Sequence, residues 1–305
     1  MNPHLGRTRI RSALAELLPR DATAQAFTLA DLFGNDLDRY AELIVAPAQQ
    51  AAGFMTRGED LQFYQRARIA LMEFGFGPQA LELHGALSTW FEHRRAFLKL
   101  EWRRTEAGVE PLAACYFRRR PPVASALARL AALGAGSAAV AHAEEMARAL
   151  AKGSIHFVSV AFQPGRPPYY KLYFSQFADP ADPAAATARV DRVFDLFGVG
   201  GLVREHWREL HDATVGPGEQ TFFVSMSSGG DGPRPSFKID YPSVSPMRAS
   251  EWLPVAERRA VVLEIERTCA LAGVRALSFL GVRFTPGEPA PVLKYYADVR
   301  RPDAT

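Results

Sequence analysis

The stretch Tyr170-Lys171-Leu172-Tyr173-Phe174-Ser175 decides how this chain is read. A strand repeats its side-chain direction every two residues, so Tyr170, Leu172 and Phe174 share one face and Lys171, Tyr173 and Ser175 the other. The apolar row fits a face packed on helices, which sends the lysine and tyrosine to the opposite side. Downstream, Phe237-Lys238-Ile239-Asp240 and Leu293-Lys294-Tyr295-Tyr296 repeat the arrangement, pairing Lys238 with Asp240 and Lys294 with Tyr296. A lone strand lysine ordinarily faces solvent. Three in one register, each between apolar or aromatic neighbours, point instead to a shared interior.

Each of these runs is the second strand of a hairpin. Residues 155–163 and 169–176 flank Pro-Gly-Arg-Pro-Pro, residues 220–227 and 236–241 flank Gly-Gly-Asp-Gly-Pro-Arg-Pro, and residues 276–285 and 292–300 flank Pro-Gly-Glu-Pro-Ala. An earlier hairpin joins 96–103 to 112–119 across an eight-residue connection. Helical periodicity fills the intervals: 60–75, 79–93, the Ala-rich run to residue 152, 184–211 and 254–272. The order helix, helix, strand, strand thus recurs about every 55 to 70 residues.

The repeat predicts units over 25–60, 61–120, 121–178, 179–243 and 244–300 of a single domain spanning 1–305. The first unit requires a hairpin over Glu42 to Arg57 around Pro-Ala-Gln-Gln-Ala-Ala, where Ala-rich sequence suits a helix equally well. Tight hairpins make neighbouring strands antiparallel, and enough of them close into a barrel without exposed edges. The expected class is α+β, an antiparallel β-barrel of repeated α-α-β-β units with the helices outside.

Composition narrows the partners. Of 305 residues, 36 are Lys or Arg against 33 Asp or Glu, a net charge of +3 that lacks the dense basic footprint of a nucleic-acid binder. Cys115 and Cys269 lie in apolar settings with no metal-ligand spacing, so neither a disulfide framework nor a zinc site is expected. The N-terminus has no long apolar segment, and no apolar run reaches the roughly 18 residues of a membrane span. A cytoplasmic protein without a membrane partner is expected. Gly198, Gly200 and Gly201 follow a helix and read as its C-terminal cap rather than a phosphate loop. His206 and His211 read as surface or capping residues, with no Ser/His/Asp order around them.

Lysines converging in a lumen are costly unless an anion neutralises them, and a diphosphate would, with tyrosine hydroxyls as neutral donors. Here the segments 170–175, 235–241 and 291–296 resemble the inward strands of the ABBA-type prenyltransferase barrel family. The likeness extends over roughly residues 40–300. Two branches are similar, the cyanobactin-type peptide prenyltransferases and the bacterial aromatic prenyltransferases acting on small acceptors.

The resemblance implies that Lys171, Tyr173, Lys238, Lys294 and Tyr296 bind the diphosphate of a prenyl donor and shield its allylic cation. Tyr116 and Arg118 would extend that lining, inward together if Phe117 faces out, and Arg57 would do so in the first hairpin. Glu101 and Asp240 are the strand carboxylates available as a base, provided an apolar lumen raises them, although each also has a lysine on its own face, Lys99 and Lys238. No Asp-Asp-x-x-Asp helix motif occurs, and the sequence leaves Mg2+ open as a cofactor.

The implied function is transfer of a dimethylallyl or similar isoprenoid group from its diphosphate to an aromatic or other nucleophilic side chain of a peptide. The same chemistry on a free small phenol or indole is the alternative. A non-catalytic ligand-binding barrel is the alternative of another class.

Overall fold

A computed structural model describes residues 4–92, 94–178, 182–215, 220–228 and 236–299. Ten antiparallel strands form five successive hairpins: β1 (Ala41–Ala46) with β2 (Ala51–Gly58), β3 (Ala96–Thr105) with β4 (Gly108–Phe117), β5 (Phe157–Phe162) with β6 (Tyr169–Ala178), β7 (Gln220–Ser228) with β8 (Phe237–Val244), and β9 (Leu277–Phe284) with β10 (Val292–Asp298). Each hairpin pairs with the next, and β10 pairs back onto β1, with Ile44 opposite Tyr296. The sheet is therefore a closed barrel, as the repeat predicts.

The hairpin left open in the sequence exists. Pro47–Gln49 form a single 3-10 turn, and Gln50 closes it in the left-handed region. The eight-residue connection expected at 104–111 is shorter, because β3 and β4 continue to Thr105 opposite Gly108. The Gly-Gly-Asp-Gly-Pro-Arg-Pro turn and residues 179–181 lie outside the described residues.

Helices precede every hairpin: α1 (Leu5–Leu17), α2 (Arg20–Leu32) and α3 (Gly34–Arg39); α4 (Leu61–Glu73) and α5 (Pro78–Trp90); α6 (Val123–Ala132) and α7 (Ser137–Ala149); α8 (Pro183–Phe197) and α9 (Gly201–Val215); α10 (Pro246–Ser250) and α11 (Val255–Ala272). Two runs read as continuous helix are each split at glycines, where the chain must reverse. Gly198 caps α8 at φ +64, a conformation that costs glycine little. Arg9 on α1 donates to the Ala272 carbonyl at the end of α11, joining the first and last helices. No described helix is long and apolar enough to cross a membrane.

Strand alternation divides the side chains. Leu98, Leu100 and Trp102 of β3 point outward and are buried, with Trp102 edge-on to Phe74 of α4 at 5.3 Å. On β8, the outward Tyr241 stacks on Trp252 and accepts from Trp207 Nε1 at 3.2 Å. It also shares a 2.7 Å hydrogen bond with His211 Nδ1. His211 is therefore buried in the layer between helices and barrel, not on the surface as its helical position suggested. The inward row carries a different chemistry.

Candidate active site in the barrel lumen

Inward positions form two cavities, one toward each end of the barrel. The first, of about 470 Å³, is basic: Lys99, Arg103, Lys171, Lys238, Arg283 and Lys294 line it. The second, of about 450 Å³, is walled by Met55, Phe97, Phe157, Phe223 and Phe279, with Glu42 and Asp240 among its polar groups. Tyr116, Lys238 and Tyr296 line both and form a collar between them. The Tyr116 and Tyr173 rings stand 5.7 Å apart, and the Lys238 ammonium sits 5.5 Å from the Tyr173 ring and 5.4 Å from that of Tyr296.

The lysines differ in how they are neutralised. Glu101, 2% exposed, bridges Lys99 and Lys294, and Lys238 pairs with Asp240 at 2.7 Å. Lys171 takes part in no ion pair among the described residues; its ammonium lies 5.2 Å from the Tyr169 ring. Burial, and then the charges of Lys99, Lys238 and Lys294, push its pKa well below the usual lysine range. Burial, only partly offset by Glu101, brings Lys294 down to about 7. Arg103 Nε and Arg283 Nε are buried donors without an acceptor. Cations outnumber carboxylates among the lining residues, and a bound anion would supply the balancing charge.

Glu101 itself does not behave as the raised base the sequence allowed. Burial alone would raise its pKa, but Lys294 and Lys99 outweigh burial and hold the carboxylate well below the ordinary range. It is a counter-ion. Asp240 reaches the aromatic cavity but is held by Lys238. The carboxylate missed in the sequence is Glu42 of β1, which is 1% exposed, faces the aromatic cavity and accepts from Ser278 Oγ at 3.0 Å. Its inward phase was readable only once the first hairpin was secure.

The structure brings Lys171, Lys238, Lys294, Tyr116 and Tyr296 together, with Tyr173 just across the collar. It does not bring Arg57 and Arg118 to the lysines; both sit at the mouth of the aromatic cavity with Arg95 and Arg120. The reason is geometric. Two residues along a strand advance roughly 7 Å, so Tyr116 at the collar puts Arg118 at the far mouth. The cation expected from the hairpin of β3 and β4 comes instead from Lys99, on its first strand. Burial first, and then Tyr173, Tyr296 and Glu101, raise Tyr116 well above 10, so its hydroxyl stays neutral; Tyr296 is raised well above 10 too, where burial outweighs the opposing Lys238 charge.

Among the described residues, the protein groups near the lysines form no metal-ion cage of their own. Both carboxylates near the lysines are already ion-paired, and the described residues contain no group of three His, Cys, Asp or Glu placed to hold a metal ion.

No family model matches the sequence, and no curated protein matches it significantly. Solved structures do match. 5-Dimethylallyltryptophan synthase from Streptomyces coelicolor superposes with a TM-score of 0.60 at 16% identity, covering 99% of each chain. The prenyltransferase PriB, solved with L-tryptophan and dimethylallyl thiolodiphosphate, gives 0.54 at 15%, covering 97% of this chain and 96% of its own. 6-Dimethylallyltryptophan synthase from Micromonospora olivasterospora, with the same kind of ligands, gives 0.57 at 14% and 96% of both. The fold of this chain is that of the prenyltransferase barrels.

Proposed function

We propose that this chain, with its prenyltransferase-barrel fold, transfers a dimethylallyl or similar isoprenoid group from its diphosphate to an electron-rich aromatic ring. The observation that carries the reading is the pairing of a basic and an aromatic cavity across the collar of Tyr116, Lys238 and Tyr296. Lys99, Lys171, Lys238 and Lys294 hold the diphosphate. As the allylic carbon to oxygen bond breaks, the electron pair leaves with the diphosphate and the lysines stabilise the growing charge. The ring faces of Tyr116, Tyr173 and Tyr296 flank the cation and exclude water. The acceptor ring attacks the allylic carbon from the aromatic cavity, and its displaced proton passes to Glu42.

The acceptor is a free small aromatic or an aromatic side chain of a peptide. Arg57, Arg95 and Arg118 are half-buried and Arg120 is exposed, so the rim is open enough to admit a peptide as well as a small molecule. Mass spectrometry after incubation with dimethylallyl diphosphate and indoles, phenols, or Trp- and Tyr-containing peptides tests this. A prenyl adduct on one class is expected. Donor binding without an adduct on any acceptor overturns the enzyme reading and leaves a ligand-binding barrel. Replacement of Lys171 or Lys294 by Ala is expected to weaken donor binding by about 10- to 100-fold, the scale of one charge-assisted hydrogen bond; unchanged affinity would move the donor elsewhere.

A further inference from the structure

We infer that the acceptor carries at least two negative charges on the end remote from the prenylated ring, recognised by Arg57, Arg118 and Arg120 at the mouth of the aromatic cavity. This deepens the proposed function and rests on it. Arg57 ends the inward row of β2 and Arg118 directly follows β4, so they approach the mouth from either side of β3. The Arg57 guanidinium lies 5.2 Å from the Tyr40 ring and that of Arg118 5.8 Å from Phe157. A guanidinium held beside a ring face by cation–π attraction still has N–H groups free for a forked contact with an anion.

The positive charge at this mouth is not cancelled. Arg57, Arg118 and Arg120 take part in no ion pair among the described residues, whereas Arg95 is neutralised by Glu59 at 2.6 Å. Burial first, and then the charges of Arg120, Arg95 and Arg57, disfavour the Arg118 cation. Asp240 is committed to Lys238, and Glu42 is a single carboxylate in a cavity lined by Arg57, Arg118 and Arg120, so positive charge stays in excess there. The donor diphosphate does not answer this need, because Lys99, Lys171 and Lys294 lie beyond the collar and Lys238 within it is paired with Asp240. An aromatic ring against the collar places a tail of roughly 7 Å at the arginines, one inward step from Tyr116 to Arg118. Two guanidinium forks match a phosphate monoester or a pair of carboxylates.

The test compares acceptors that share an indole ring: indole, indole acetate, an indolylalkyl phosphate, an indolylalkyl dicarboxylate and an aspartate-flanked tryptophan peptide. Transfer is measured with saturating dimethylallyl diphosphate. Binding is measured calorimetrically with dimethylallyl S-thiolodiphosphate saturating the lysines, so that a phosphate probe reports on the mouth. The dianions are expected to exceed indole in kcat/KM and affinity by about tenfold or more, with the advantage shrinking as salt is added. The best of them identifies the source of the charges.

Arg57→Gln and Arg118→Gln, checked for folding by circular dichroism, are expected to cut the dianion-to-indole ratio at least about fivefold. Equal values for indole and the dianions, or a ratio untouched in both variants, overturns the inference while transfer itself stands. Arginine-dependent dianion binding without any transfer sinks the enzyme reading and leaves the anion-recognising mouth in place.

Discussion

Lys294 ties the electrostatics of the lumen to a measurable pH dependence. In the fold its pKa is about 7, against about 10.5 for an ordinary lysine. A bound diphosphate favours the charged form, so donor binding takes up a proton, and affinity is expected to fall as pH rises above about 7. Lys294→Gln should bind more weakly with a flatter profile, read as the difference between the two calorimetric pH series. For the free protein the sign is opposite. The penalty of charging Lys294 is fully present below pH 7 and is relieved as pH rises toward 10.5, so this group adds stability across that window. Glu101→Gln would leave Lys99 and Lys294 facing each other in a buried site, a loss of about 3 to 5 kcal/mol for breaking such a pair. Urea unfolding should show it, and saturating donor should restore part of it. The pairing of Glu101 with Lys99 was legible from strand phase; its capture of Lys294 was not, because the two strands are 193 residues apart in sequence.

The hairpin is the unit that places these groups. β2 and β3 approach so closely at Gly53 that a Cβ there would lie 2.0 Å from the Leu100 carbonyl oxygen. Backbone cannot yield as a side chain can, so Gly53→Ala is expected to destabilise the barrel by about 3 kcal/mol, the upper end for overpacked cores. A melting-temperature shift would measure it, and an unchanged Tm would mean the strands can separate there. The contact between α9 and β8 offers a smaller test. Tyr241→Phe removes the acceptor of Trp207 and the partner of His211, at about 1 to 3 kcal/mol. Strand phase was visible in sequence wherever an apolar row alternated with polar residues, as in 170–175. It failed at 41–58, where alanine and glycine fit helix and strand alike and only pairing with β3 and β10 selects the strand.

Closure makes the whole molecule respond to its ligand. The two cavities exist only when β1 meets β10, so a donor held in the basic one, as proposed, would bind only the folded state. Ligand at about 100 times its Kd should therefore raise stability by about 2.7 kcal/mol. The thermal shift should shrink at high salt, since long-range attraction into the lumen is screened. A salt-independent shift would place binding outside the basic cavity. The sequence by itself determined the α-α-β-β repeat, the antiparallel hairpins and the inward phase of Lys171, Lys238, Lys294 and their partners, because periodicity and turn chemistry are local. Only the tertiary structure decided which end of the barrel each inward residue reaches: it set Arg57 and Arg118 at the mouth of the aromatic cavity, added Lys99, Arg103 and Arg283 to the basic one, made Glu101 a counter-ion and brought Glu42 to the aromatic cavity. Depth in a barrel depends on register and closure among strands distant in sequence, and no local pattern encodes that.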